Sequence, residues 1–177
     1  MMEIADYDPS WPAHFQEIAQ RLRGSVGDIA LRIDHVGSTS VPGLAAKPVI
    51  DIQMSVACLE PVDAYAVPIQ ELGYLFRPTN PDLTKRFFHS PPAMPRCHIH
   101  VRRAGSWSEQ FALLFRDYLR TQVEDARRYA DLKRSLASKE RDVQEYTDLK
   151  GPFIWEIMVK ATDWSQSIGW EPGPPGA

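Results

Sequence analysis

The spacing of apolar positions changes twice along the chain, and those changes divide it. After Asp8-Pro9-Ser10-Trp11-Pro12, the residues Phe15, Ile18, Leu22, Val26 and Ile29 recur at helical spacing, which predicts an amphipathic first helix. Asp8 or Ser10 can cap it, and Pro12 is harmless in a first turn because that N–H has no partner within the helix. Residues 31–36 then read as a strand. Residues 49–56 read as a second, with Ile50, Ile52 and Met54 on one face and Asp51, Gln53 and Ser55 on the other. A helix over 61–72, weakened by Pro68, leads to three more strands at 74–76, 85–89 and 98–102. From Ser106 the period turns helical and stays so. Ser106 with Glu109, and Thr121 with Glu124, have capping-box spacing. Behind them come Phe111, Leu114, Phe115 and Tyr118, then Tyr129, Leu132 and Leu136, and a last helix carries Phe153, Ile157, Met158 and Ala161.

This order predicts an α/β (α+β) fold, a mixed sheet flanked by helices with a helical C-terminal third. One domain is expected over residues 1–163, with the sheet core at about 30–104 and the helical part at about 106–163. The proline- and glycine-rich segment 164–177 reads as a disordered tail. No internal repeat interrupts this plan.

Composition adds exclusions. A net charge of -3 leaves no basic excess for bulk nucleic-acid binding. No apolar run is long enough for a membrane span, and the acidic residues Glu3, Asp6 and Asp8 are foreign to a signal peptide. Cys58 and Cys97 lie outside any CxxC pair and make no disulfide framework, so a cytoplasmic location is expected.

The chemistry concentrates between His35 and Val56. A strand runs into Gly37-Ser38-Thr39-Ser40, a segment with Lys47 follows, and the next strand presents Asp51. Gly37 lets the backbone approach an anion, Ser38, Thr39 and Ser40 add hydroxyls, and Lys47 supplies a compact positive charge. Asp51 is placed to hold a divalent cation bridging to phosphate oxygens. Twelve residues separate Ser38 from Asp51. Together the two halves look like the Gly-Ser, then Asp-apolar-acidic, signature of the nucleotidyltransferase superfamily.

Longer motifs carry a closer likeness. Tyr7-Asp8-Pro9-Ser10-Trp11-Pro12, His35 through Leu44, Lys47-Pro48, Ile50-Asp51-Ile52, His98-Ile99-His100-Val101 and Phe115-Arg116-Asp117-Tyr118-Leu119-Arg120 resemble the GrpB family. The resemblance implies a nucleotidyltransferase-like fold, a magnesium site beside a phosphate cradle, and kinship with domains fused behind dephospho-CoA kinases. The chain itself carries no kinase P-loop.

Gln53 stands where the superfamily signature has a second carboxylate. An amide oxygen can ligate a metal, but without charge; the missing carboxylate–cation attraction is up to about 4 kcal/mol at 4 Å and an effective dielectric near 20. His98 and His100, two residues apart on one strand face, can compensate as metal ligands. Imidazole suits zinc or manganese better than magnesium. The same two histidines can instead bond phosphate, act as acid and base, or pair with polar neighbours. The expected metal set is therefore Asp51, Gln53, His98 and His100, the cation Mg or Mn, or Zn through the histidines. Asp51, His98 and His100 are the catalytic candidates. Gly37, Ser38, Thr39, Ser40, Lys47, Arg86 and Arg116 are the phosphate candidates, Arg116 also being open to a structural pairing with Asp117. Lys85, Arg102 and Lys150 are weaker. The expected ligand is a nucleotide or other phosphorylated small molecule. Three functions follow: nucleotidyl transfer to a small acceptor, a binding or accessory module without turnover, and a phosphohydrolase built on the histidines.

Overall fold

The computed structural model describes residues 3–138 and 143–177, the Val143 side chain excepted. Its elements are α1 (Trp11–Val26), β1 (Arg32–Val36), β2 (Ile50–Val56), α2 (Asp63–Glu71), β3 (Leu75–Phe76), β4 (Lys85–His89), β5 (Cys97–Arg103), α3 (Trp107–Thr121), α4 (Val123–Ala137) and α5 (Val143–Ile168). The expected mixed sheet and helical C-terminal part are both present. Residues 139–142, which fall within the expected helical part, lie outside the described residues, as do residues 1 and 2 of the expected domain.

The sheet order is β1-β2-β5-β4-β3. β2 and β5 pair in parallel at its centre, and the other neighbours are antiparallel. That register sorts the side chains. Ile50, Ile52, Met54, Cys97, Ile99 and Val101 turn to one face and pack with Trp11, Phe15, Leu22, Tyr65 and Ile69 of α1 and α2. Asp51, Gln53, His98, His100 and Arg102 turn to the other. There a second apolar cluster joins Val41, Leu44 and Ala45 to Tyr118, Tyr129, Ile157 and Ala161 of the C-terminal helices. Both faces are covered, so even Gln53 and Ser55 are fully buried.

Local chemistry departs from expectation at four places. At the start of α1, Asp8 Oδ1 accepts from Ser10 N at 2.8 Å, and Ser10 makes no side-chain cap. Ile29 lies beyond α1, in a 3-10 turn, and is exposed. The Ser106 side chain does cap α3, accepting from Glu109 N, whereas Glu109 Oε2 accepts from Gly105 N at 2.6 Å. Thr121 starts no helix: it ends α3, its hydroxyl donates to Tyr118 O at 2.9 Å, and α4 begins without a side-chain cap.

The last helix is longer than its apolar pattern suggested, because α5 runs through Pro152. Proline removes its own N–H bond there, and packing of Phe153, Ile154 and Ile157 against the α3–α4 cluster carries the helix past that loss. The tail expected to be disordered instead closes on the sheet. Gly176 N and Ala177 N donate to Ile33 O at 3.0 and 3.1 Å, and Ile33 N donates back to Ala177 O at 3.3 Å. Those bonds occupy the open edge of β1, which would otherwise present unpaired main-chain groups.

Candidate functional site

The site grows from the β2–β5 register. Asp51 stands beside His98 and Gln53 beside His100, so both imidazoles flank one carboxylate. His98 Nδ1 donates to Asp51 Oδ1 at 3.1 Å, and His100 Nε2 approaches the same oxygen at 3.4 Å. One ligand atom from each of the three lies within 4.8 Å of the others. The second carboxylate oxygen faces Gly37, where a Cβ would stand 2.6 Å from Asp51 Oδ2. Gly37 has φ 70° and ψ -174°, a conformation open to glycine alone. Glycine is thus required twice over, by its dihedrals and by its closeness to the carboxylate.

Electrostatics follow from burial. Burial pushes the Asp51 carboxyl up, but hydrogen bonds from His100 and His98 prevail and hold it well below the usual carboxylate range. Burial lowers His100 to about 4 against the opposing pull of Asp51, so the ring is neutral at pH 7. With Nε2–H directed to Asp51, its buried and unpartnered Nδ1 carries no proton.

A cavity of about 340 Å³ opens over this cluster. Asp51, His98 and His100 line it from β2 and β5, Ser38 and Thr39 from the turn after β1, and Lys47 with Lys133, Tyr146 and Lys150 of α4 and α5 make its lysine wall. Tyr146 and Lys150 are one turn apart on α5, and Lys133 comes from α4. Lys47 Nζ and Lys150 Nζ lie 5.0 and 4.4 Å from the Tyr146 ring centroid. Lys133 Nζ donates to Ala45 O and lies 4.6 Å from the Tyr129 centroid. Burial, reinforced by Lys150 and Arg134, lowers Lys133 to about 7. Burial and Lys47 lower Lys150 to about 8. The lysines raise one another's cost of being charged, a strain that an anion between them would relieve.

The remaining expected residues divide. Thr39 is buried, receives His35 Nε2 at 3.0 Å and donates to Val49 O at 3.0 Å. Because the hydroxyl proton goes to Val49, His35 must be the donor, and burial lowers its pKa to about 4. Ser40 donates to Gly37 O at 2.6 Å, so it shapes the turn rather than facing the cavity.

Three expectations are corrected. Gln53 is no metal ligand here: its Oε1 accepts from Arg102 at 2.6 Å and its Nε2 donates to Glu109 O at 3.2 Å. Arg86 points to the opposite sheet face, where it pairs with Glu60 at 2.7 Å. Arg116 is buried, with Nε on Asp117 at 2.7 Å and Nη1 on Asp34 and His35 O at 3.4 and 3.2 Å. It ties α3 to β1. Lys133 was missed and Lys150 undervalued. The signal for Lys133 was readable: it falls on the apolar stripe Tyr129, Lys133, Leu136, where a lysine needs a reason.

The model of the family described as GrpB protein matches residues 1–160. The chain belongs to the GrpB family. Within the GrpB family it is 41% identical over 160 residues to a UPF0157 protein of Halalkalibacterium halodurans, covering 89% of this chain and 81% of that one. The crystal structure of the conserved protein GrpB from Enterococcus faecalis superposes with a TM-score of 0.84 at 31% identity, over 93% of this chain and 99% of that chain. A dephospho-CoA kinase of Mycolicibacterium paratuberculosis is 36% identical over 191 residues, covering 93% of this chain but 47% of the kinase. This GrpB-family chain therefore spans about half the length of that relative. Among the described residues no helix is long and apolar enough to cross a membrane.

Proposed function

We propose that the protein binds a polyphosphate-bearing ligand of the nucleotide class, together with a divalent cation, in the cavity between β2–β5 and α4–α5. The observation that carries this reading is the polarity of that one cavity. Asp51, His98 and His100 offer metal donors on one wall, and Lys47, Lys133 and Lys150 offer positive charge on the other. A phosphate chain between them would satisfy both walls, its oxygens reaching the cation on one side and the ammonium groups on the other. The volume lies within the range of small-ligand pockets, roughly 300–1,000 Å³.

Nucleotidyl transfer to a small acceptor is the catalytic form of this reading. It requires the acceptor hydroxyl to lose its proton beside the cation, and His98 or His100 can take that proton only where its ring does not itself ligate the cation. The alternative is a module that holds a nucleotide or CoA-type ligand without turnover. The half-length match to a dephospho-CoA kinase is compatible with that alternative, since such a module can serve a partner domain, but it does not separate it from transfer.

A thermal-shift screen of ATP, CTP, GTP and CoA with magnesium, manganese and zinc tests the binding. Ligand at about 100 times Kd should add about 2.7 kcal/mol of stability. No shift with any of them would refute the reading. Pyrophosphate release on adding an acceptor pool separates transfer from binding alone.

A further inference from the structure

The signature seen in the sequence implies magnesium held by paired carboxylates, and the residues present do not fit it. Gln53 is committed on both polar atoms, to Arg102 and to Glu109 O. Asp34, a carboxylate on the same sheet face beside Gln53, is buried and paired with Arg32 and Arg116. Among the described residues, Asp51, His98 and His100 are the one cluster of three such side chains with metal-ligating reach. Magnesium takes an octahedron of oxygens, and this cluster offers one carboxylate against two imidazoles.

We propose that Asp51, His98 and His100 form a mononuclear site for a borderline transition metal, zinc foremost, with its open position toward the lysine wall. The donor set of two nitrogens and one carboxylate oxygen is that of zinc-class ions. Donors bound at about 2.0–2.1 Å with tetrahedral angles stand about 3.3 Å apart; here Asp51 Oδ1 lies 3.1 and 3.4 Å from the histidine nitrogens, and all three donor atoms lie within 4.8 Å of one another. The sheet fixes this arrangement, because the β2–β5 register sets both rings beside Asp51. Gly37 packs against the other carboxylate oxygen and leaves Oδ1 to the rings. Three protein donors leave the remaining position to a ligand or water, as in zinc sites that act on substrates. This inference rests on the reading above for its metal wall, Asp51, His98 and His100, but not for the lysines, so the ligand half of that reading can fail while the metal site stands.

The test titrates the metal-free full chain with zinc, cobalt(II) and magnesium, followed by calorimetry and by the visible spectrum of the cobalt form. The expected result is one zinc per chain, a cobalt spectrum of four-coordinate type, and no displacement by a large excess of magnesium. Loss of an outer-shell partner costs about 10–100-fold in metal affinity, so His98→Ala and His100→Ala should each cost more than about 100-fold. His14→Ala serves as the control, and each variant's melting temperature identifies any that fails to fold. For such a variant, His98→Asn or His100→Asn replaces it. Magnesium binding as tight as zinc, two ions per chain, or folded histidine variants with wild-type zinc affinity would overturn the proposal. ATP added to the cobalt form then tests the ligand reading alone. A spectral change lost in Lys133→Met supports that reading, and no change with cobalt still bound removes it while leaving the metal site intact.

Discussion

Gly37→Ala probes the link between backbone and site most directly. At φ 70° and ψ -174° the alanine occupies a region reserved for glycine, which costs on the order of 1–3 kcal/mol. Its methyl also lands 2.6 Å from Asp51 Oδ2 and 3.0 Å from Asp51 Cβ, closer than such atoms approach. The backbone penalty alone corresponds to a fall in melting temperature of about 2–12 °C for a chain of this size. Relief of the contact requires Asp51 to move, and its other oxygen is the one that meets both histidines. Metal affinity should therefore fall together with stability. Gly43→Ala supplies the control, since Gly43 has φ +76° but nothing within 4 Å of a built Cβ. It shares the positive φ without the collision and should keep metal affinity. The assay is paired calorimetry on the three proteins, by heating and by zinc titration. Equal losses in the two variants, or wild-type behaviour of Gly37→Ala, would refute the argument that Gly37 sets the position of Asp51.

Other outcomes follow from buried charge. His35 titrates near 4 when folded and near 6.5 when unfolded, so the unfolded chain binds the extra proton between those values. Stability should fall as pH drops through that window by up to about 3 kcal/mol, and urea titrations of His35→Gln should lack that share of the acid loss. Lys133, lowered to about 7 by burial, is mostly neutral at pH 8. Binding of a phosphate ligand there should take up close to one proton, seen as a buffer-dependent heat in calorimetry, and Lys133→Met should abolish the uptake and weaken binding about 10- to 100-fold. An unchanged buffer dependence would separate Lys133 from the ligand. Arg116→Ala strips a partner from buried Asp34 while Arg32 remains. It should cost about 3 kcal/mol in chemical denaturation and leave ligand affinity of the folded protein unchanged; a specific loss of binding would restore Arg116 to the phosphate site.

The sheet was legible because alternation along β2 and β5 places their polar residues on one face whatever lies elsewhere. The parallel pairing that puts Asp51 beside His98 was not, since local spacing does not record which strands meet. The lysine wall was hidden for a similar reason. Tyr146 and Lys150 acquire their position only when α5 continues through Pro152 and folds over the sheet. The tail misled in the opposite direction: its composition suits disorder, but its attachment uses main-chain bonds to Ile33, which composition does not encode.

Gln53 shows how sequence and structure can assign one residue two meanings. From spacing alone it is a metal ligand that has lost its charge. In the fold it is a fully buried amide with a donor and an acceptor both used, joining β2 to β5 through Arg102 and to α3 through Glu109 O. Burial lowers the Arg102 pKa, and its Nε has no partner, so the bond to Gln53 Oε1 is a main means of satisfying that guanidinium. A residue tied down in this way cannot swing toward Asp51 without stranding both partners, each stranded polar group costing about 1–3 kcal/mol. The want of a second carboxylate is therefore built into the interior packing, while the side chains of His98 and His100 remain 36% and 16% exposed, where a ligand can reach them. The physical logic of the site lies in this division between a locked polar layer under α3 and an open Asp-His-His cluster under α4 and α5.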